Sequence, residues 1–161
     1  MKISRFNFQN DVLKLEDDID FSHADLDQSH IRKINSCHVK VNGCEYDDLM
    51  VLELKVEAEV VGVCSYTLED VPLKLKFKDS LEFSNEIQDD EDIIFEEKPI
   101  FDLDPYVLEL IIAETPMKLI KKGAKLPSGG KGYRVMSEEE YLKEKAEKKD
   151  SRWSKLDDVE L

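Results

Sequence analysis

The chain has 161 residues, of which 37 are Asp or Glu and 23 are Lys or Arg, so its formal net charge at pH 7 is −14. That length allows one domain with a substantial core and leaves little for a second. A charge this negative repels polyanions at long range and weighs against nucleic-acid binding by the whole surface, although it is compatible with a local basic patch. No apolar run is long enough for a signal peptide or a membrane span, so we expect a cytoplasmic protein without a membrane partner.

The sequence offers no group of residues that would hold a metal or start a covalent reaction. Its three cysteines, Cys37, Cys44 and Cys64, include no Cys-x-x-Cys pair, and an odd number in a reducing compartment predicts free thiols. His23 and His30 lie in a turn-rich segment with no Cys, Asp or Glu spaced to form a specific catalytic pair. We therefore expect no enzyme, no catalytic or metal-ligating residue and no cofactor.

Alternation of apolar and polar residues predicts an antiparallel meander of three strands, at about residues 32–41, 44–63 and 71–84. The first two strands are predicted to meet at Asn42-Gly43, the pair that type I′ hairpin turns prefer because both central positions need positive φ. The stretch from Leu49 to Phe83 has mostly acidic outward residues on one strand and lysines on the other. Opposite charges are therefore expected to pair across these strands and to fix their register.

Weaker signals flank the meander. Residues 2–8 and 12–21 alternate poorly and are typical of an edge strand and a short strand. Residues 85–104 are acidic and indicate a solvated loop, since no metal-binding spacing such as that of an EF-hand is present. Inside this run, Ile93–Phe95 and Pro99–Phe101 are candidates for short strands.

The sequence predicts a buried helix over residues 104–115. Asp104-Pro105 favours a helix start, because Asp can cap free N–H groups and Pro is tolerated at the first helical position. Apolar residues then cover more than half of the circumference, so the helix should pack on the sheet. Pro116 ends it, since proline lacks the N–H and clashes with the preceding turn.

The charge of the chain inverts after this helix. Residues 118–134 contain no acid, and their six basic residues are interspersed with glycines: Lys118, Lys121, Lys122, Lys125, Lys131 and Arg134. The Gly-Gly-Lys-Gly piece is not a phosphate loop, since no Ser or Thr follows Lys131 and no buried strand precedes it. Two interpretations stay open: RNA phosphates dock on these six residues, or a basic loop offsets an acidic protein.

Ser137 to Glu140 matches a capping box and predicts a charged helix to about Lys149. Beyond it, Trp153 and its neighbour Arg152 are predicted to bind a partner, with docking of Trp153 back on the domain as the alternative. The predicted fold is α+β: an antiparallel, partly open barrel-like β-meander packed by one buried helix, with a charged C-terminal helix. The β-rich core domain is expected to span 1–120, and the basic Gly-rich loop and charged helical tail 121–161.

Three blocks of sequence follow one another: Cys64-Ser-Tyr-Thr-Leu-Glu69, Phe101-Asp-Leu-Asp-Pro…Glu114-Thr-Pro-Met117, and Asp150-Ser-Arg-Trp-Ser-Lys-Leu156. In this order they resemble three blocks of the YceD family of bacteria and plastids, over roughly the last two thirds of the chain. The resemblance implies two cysteine pairs in typical members. Here Thr67 stands at the second position of the first pair and residues 121–134 contain no cysteine, so a metal held by such pairs has no tetrahedral site in this chain.

The resemblance also implies a function. It is that of a non-catalytic ribosome-biogenesis factor that supports 23S rRNA accumulation and large-subunit maturation. The expected partners are large-subunit rRNA or a ribosome precursor, and further basic ribosomal proteins or a maturation nuclease. The alternative is an acidic protein–protein adaptor that contacts no RNA and uses residues 86–104 and Trp153.

Overall fold

The protein is seen here in a computed structural model that describes residues 1–27, 29–46 and 49–147. The chain divides into two units, residues 1–121 and a second that begins at Lys122. Within the described residues, the first unit contains seven strands, one α-helix and a short 3-10 helix at Arg5–Asn7, and the second contains one α-helix. The strands and α-helices are β1 Lys2–Ser4, β2 Val12–Asp18, β3 Ile31–Tyr46, β4 Leu49–Val63, β5 Asp70–Ser84, β6 Ile93–Phe95, β7 Ile100–Asp102, α1 Asp104–Glu114 and α2 Glu138–Glu147.

The main sheet has five strands in the order β2-β3-β4-β5-β6. Its pairs are antiparallel except for β5 and β6, which run parallel. β1 and β7 form a separate antiparallel pair. The five-stranded sheet does not close into a barrel. The α+β prediction is confirmed, and the candidate short strands Ile93–Phe95 and Pro99–Phe101 correspond to β6 and, one residue later, to β7.

The two faces of the sheet follow the alternation of the sequence. Leu52, Leu54 and Val56 of β4 are 0 or 1% exposed, while the residues between them lie on the outer, solvated face. On that face Glu57 pairs with Lys76 at 2.8 Å and Glu59 with Lys74 at 2.6 Å. The predicted charge complementarity between the two long strands is therefore confirmed at these two pairs, whereas Lys55 lies opposite Lys78 and Glu53 opposite Ser80.

The prediction of a hairpin turn at Asn42-Gly43 was wrong. Both residues lie inside β3, where Gly43 pairs with Leu52 of β4, and neither has positive φ. The connection to β4 comes later, between Tyr46 and Leu49. A Cβ on Gly43 would lie 2.8 Å from Leu52 Cδ2 and 3.1 Å from the Phe8 ring. This glycine therefore allows close packing in a strand, a role that outweighs its turn propensity.

Helix α1 covers the core face of the first unit. Val107 and Ile111 are fully buried, and Thr115 Oγ1 donates to the Ile111 carbonyl at 2.7 Å just before Pro116. Asp104 does not cap the helix, contrary to expectation: it is the first helical residue, and its carboxylate accepts a hydrogen bond from the Met1 amino group.

An aromatic cluster lies where the helix, β7 and β5 meet. The Phe83 ring is 4.8 Å from that of Phe101 and makes an edge-on contact with Tyr106 at 5.2 Å. Phe83 is fully buried and belongs to the main core, so these contacts join the helix to the sheet.

In the second unit, α2 begins with the predicted capping box. The Ser137 backbone N–H donates to Glu140 Oε2 at 3.0 Å, and the Glu140 N–H donates to Ser137 Oγ at 3.2 Å. The predicted extension of this helix to Lys149 runs past the described residues. No described helix has the length and apolar character that crossing a bilayer requires.

Candidate nucleic-acid interface

The six basic residues predicted to bind RNA are all exposed and fall in both units. Lys118 and Lys121 belong to the first unit, in the segment that follows helix α1. The other four belong to the second unit: Lys122, Lys125, Lys131 and Arg134.

The first two lysines are positioned by contacts between residues 118–121 and the loop 64–69, which joins β4 to β5. Leu119 forms a single parallel bridge with Cys64, and its carbonyl accepts from the Ser65 N–H at 2.7 Å. The Leu119 side chain is 8% exposed and lies against Gly62, where a Cβ would be 2.3 Å from its Cδ1. Gly62 therefore makes room for the side chain that anchors this segment.

The loop itself is fastened at both ends. The Cys64 N–H donates to the Glu69 carbonyl at 2.8 Å, and Leu68 has a positive φ of 59°. Arg32 Nη2 donates to the Leu68 carbonyl at 2.8 Å, and Arg32 Nη1 pairs with Asp70 at 3.1 Å. These bonds close the loop on itself and tie it to Arg32 of β3.

Lys121 is the basic residue most involved in this contact. Its Nζ lies 3.2 Å from Glu69 Oε2, to which Thr67 Oγ1 donates at 3.1 Å. The hydrogen bonds from Lys121 and Thr67 lower the pKa of Glu69, so the carboxylate is charged near neutral pH. Lys121 thus has an acidic partner within the protein, which reduces its availability to an external anion.

The Cys64 sulfur lies at the centre of this cluster and is fully buried. The Lys121 backbone N–H donates to it at 3.4 Å. Together with the Thr67 hydroxyl and the backbone N–H groups of Tyr66 and Thr67, this bond lowers the pKa of the Cys64 thiol to about 7, although desolvation opposes the shift. These hydrogen bonds favour the thiolate form of Cys64. The sequence did not indicate this property, because Lys121 lies far from Cys64 along the chain.

These residues do not fit a structural metal. Zinc in such a site takes four ligands, and around Cys64 the structure offers one thiol, the Thr67 hydroxyl and the Glu69 carboxylate, which is already bonded to Thr67 and Lys121. Across the described residues, no three His, Cys, Asp or Glu side chains gather closely enough to hold an ion. Hydrogen bonds from the backbone and from Thr67 surround the sulfur instead.

The basic residues of the second unit lie on and around a tight turn. Gly130 and Tyr133 form an isolated bridge, and Gly132 between them has a φ of 89°, which favours glycine. A Cβ on Gly130 would lie 2.6 Å from the Tyr133 ring. The turn therefore depends on its glycines, and it carries Lys131 exposed at its tip.

Arg134 contacts the helix that follows: its Nη1 lies 3.3 Å from Glu144 Oε2. Among the described residues, the other four basic side chains have no acidic partner within 4.0 Å: Lys118, Lys122, Lys125 and Lys131. Of the six basic residues predicted to bind RNA, these four are the most accessible to an anionic partner. Trp153 and Arg152, the predicted partner-binding residues, lie outside the described part of the chain.

The family model described as "Large ribosomal RNA subunit accumulation protein YceD" matches residues 52–160. The "Uncharacterized protein YlbN" of Bacillus subtilis is 33% identical over 121 residues, which are 70% of this chain and 69% of that protein. No solved structure matches the chain.

Proposed function

The chain belongs to the YceD family, and from this premise we propose that it is a non-catalytic factor supporting 23S rRNA accumulation and maturation of the large ribosomal subunit. In this proposal it works in the cytoplasm, and its direct contact is with large-subunit rRNA or a ribosome precursor. No catalytic step is assigned to it. The finding that supports an RNA contact most directly is the acid-free segment 118–134 with its four exposed, unpaired lysines.

The distribution of charge favours a contact of limited extent. The whole chain carries a net charge of −14, so a polyanion is repelled except where cations are concentrated. Lysines bind phosphate as point charges and release counterions when they do so. Binding through this segment should therefore be independent of base sequence, and it should weaken steeply as salt is raised.

The sharpest test replaces two lysines that have no partner inside the protein. Lys122→Gln with Lys125→Gln removes two exposed charges without breaking a described ion pair. We expect weaker binding to a 23S rRNA transcript in a filter-binding assay. The slope of log Kd against log salt should become shallower by about 1.4–1.8, which is the contribution of two phosphate contacts.

The matched control is Lys143→Gln with Lys145→Gln on α2, which changes the net charge equally within the same unit. These lysines lie on a helix whose first turn is acidic, at Glu138 to Glu140. The control should leave the salt slope unchanged. Equal loss of binding in both variants would mean that net charge alone is responsible and would remove the support for contact at this segment.

A second candidate function is the acidic adaptor, for which the exposed segment after β5 gives some support. Ile87 in this segment is 84% exposed and is surrounded by exposed acidic residues from Glu86 to Asp92. Such a surface suits a basic ribosomal protein or a maturation nuclease. Pull-down from a lysate with and without RNase separates the two functions, since adaptor binding survives RNase whereas RNA-dependent binding is lost.

A further inference from the structure

The outer face of the main sheet contains a row of three lysines that repel one another. In the register of the sheet, Lys40 of β3 lies directly opposite Lys55 of β4, and Lys55 lies directly opposite Lys78 of β5. Directly opposite residues have Cβ atoms only about 4.5–5.5 Å apart, and like charges at this distance destabilise a sheet. All three side chains are exposed.

The neighbouring rows on the same face show the opposite arrangement. Lys76 pairs with Glu57 at 2.8 Å and Lys74 with Glu59 at 2.6 Å. His38, next along β3, lies between Asp18 at 2.7 Å and Glu16 at 3.0 Å. In these rows, cations therefore have carboxylate partners on an adjacent strand.

The lysine row is only partly neutralised from within the protein. Lys40 reaches Glu16 on β2 at 2.8 Å. For Lys55 and Lys78, no described carboxylate lies within 4.0 Å of the amino group. Both lysines are among the residues that line a shallow cleft of about 510 Å³, together with Glu53, Leu54, Asp79 and Ser80.

We propose that Lys55 and Lys78 form a phosphate-binding site on the outer face of the sheet, where the backbone of single-stranded RNA docks. This site is separate in sequence from the segment 118–134, and it rests on the proposed function, which supplies the RNA. One phosphate group accepts from both amino groups and relieves their repulsion.

Several features of this face favour an RNA backbone over a protein partner. On the outer face, the rows on either side of the lysines are Asn42, Glu53 and Ser80, and His38, Glu57 and Lys76, so they offer neither an aromatic stacking platform for bases nor the aromatic anchors of a protein interface. The Asn42 amide and the Ser80 hydroxyl in the next row add neutral donors for phosphate oxygens. Contact here should therefore be independent of base identity.

The test compares two double variants of the full chain with the same change in net charge. Lys55→Gln with Lys78→Gln removes the proposed site, whereas Lys74→Gln with Lys76→Gln removes two lysines of the same face that are already paired. Binding of fluorescent oligouridylate and oligoadenylate is measured by anisotropy at several salt concentrations. We expect the first variant to make the salt slope shallower by about 0.7, the contribution of one phosphate contact on a single strand, equally for both oligonucleotides, and the second to leave it unchanged.

Folding is controlled in the same comparison. The first variant relieves like-charge repulsion and should be at least as resistant to urea as the parent, while the second loses two ion pairs and should be slightly less resistant.

Equal effects of the two variants on RNA binding would overturn the proposal, as would the absence of any effect of the first variant. Glu53→Gln removes a carboxylate beside the site and should tighten binding, so weaker binding would also count against it.

Failure of this site is distinguishable from failure of the proposed function. If Lys122→Gln with Lys125→Gln weakens RNA binding and Lys55→Gln with Lys78→Gln does not, the proposed function stands and the sheet site is rejected.

Poly-L-glutamate is the probe for an acidic protein partner in place of RNA. Binding of poly-L-glutamate that depends on Lys55 and Lys78, without binding of either oligonucleotide, would assign the face to an acidic protein and overturn the RNA site.

Discussion

Replacement of Leu119 by Ala should release the segment 118–121 from the loop 64–69 while the sheet stays folded. The Leu119 side chain is 8% exposed, lies against Gly62 and is outside the main core cluster. Ala removes three carbons at about 0.8 kcal/mol for each buried CH₂ group, and a site at the rim collapses easily, so the loss is about 2 kcal/mol. That energy shifts a local opening equilibrium roughly 30-fold.

Alkylation of the buried Cys64 thiol reports this opening, because its sulfur accepts from Lys121 and is covered only while the segment is docked. The rate at each cysteine is followed with iodoacetamide by peptide mass spectrometry. We expect Cys64 to react roughly 30-fold faster in the variant. Cys37, which is 2% exposed in the main core, should keep its rate and serves as the internal reference.

The control for this experiment is Leu142→Ala, the same substitution at a residue of α2 that is 55% exposed. It should change neither rate. An unchanged rate at Cys64 in Leu119→Ala would refute the packing argument. Parallel acceleration of Cys64 and Cys37 would refute the local nature of the opening, since it would mean that the segment and the sheet unfold together.

Three further predictions follow from described contacts. Phe83→Leu loses two aromatic contacts worth about 1–3 kcal/mol together and should lower the urea midpoint without changing the m-value. Asp18 is the main cause of the raised pKa of His38, so Asp18→Asn should lower that pKa in an NMR titration. The stabilisation that depends on this raised pKa is fully present below pH 6.5 and is lost as the pH rises through the pKa of the folded state. Asp18→Asn should therefore lose less stability than the parent over this pH range. Ser137→Ala removes the cap of α2, costs about 1 kcal/mol and should reduce helicity measured by circular dichroism.

The strands were predictable where one face of the sheet is charged. Apolar and charged residues alternate over residues 53–60 of β4 and 73–78 of β5, so periodicity alone locates both strands and shows which face of each is solvated. At Asn42-Gly43 the prediction from turn propensity failed, because these residues lie inside β3, where packing against neighbouring side chains requires a glycine. The close approach of Leu52 and Phe8 to Gly43 is a property of the folded sheet that a single strand does not reveal.

The candidate site was predictable only in part for a similar reason. The basic segment is contiguous, so its charge is visible in the sequence. The contacts that position it join residues far apart: Lys121 bonds to Cys64, 57 positions away, and to Glu69, 52 positions away. The row of Lys40, Lys55 and Lys78 likewise becomes visible only when the strand register is known, since a shift by one residue would separate them.

The pairing of β1 with β7 has a consequence for the order of folding during synthesis. The long strands β3, β4 and β5 are consecutive hairpins and can pair as soon as each emerges from the ribosome. Residues 2–4, by contrast, pair with residues 100–102, so Ile3 has no partner strand until β7 has been made. At typical elongation rates this interval lasts roughly 5–20 seconds. The nascent chain therefore exposes its first strand throughout this period, and its core is closed only when β7 and α1 arrive.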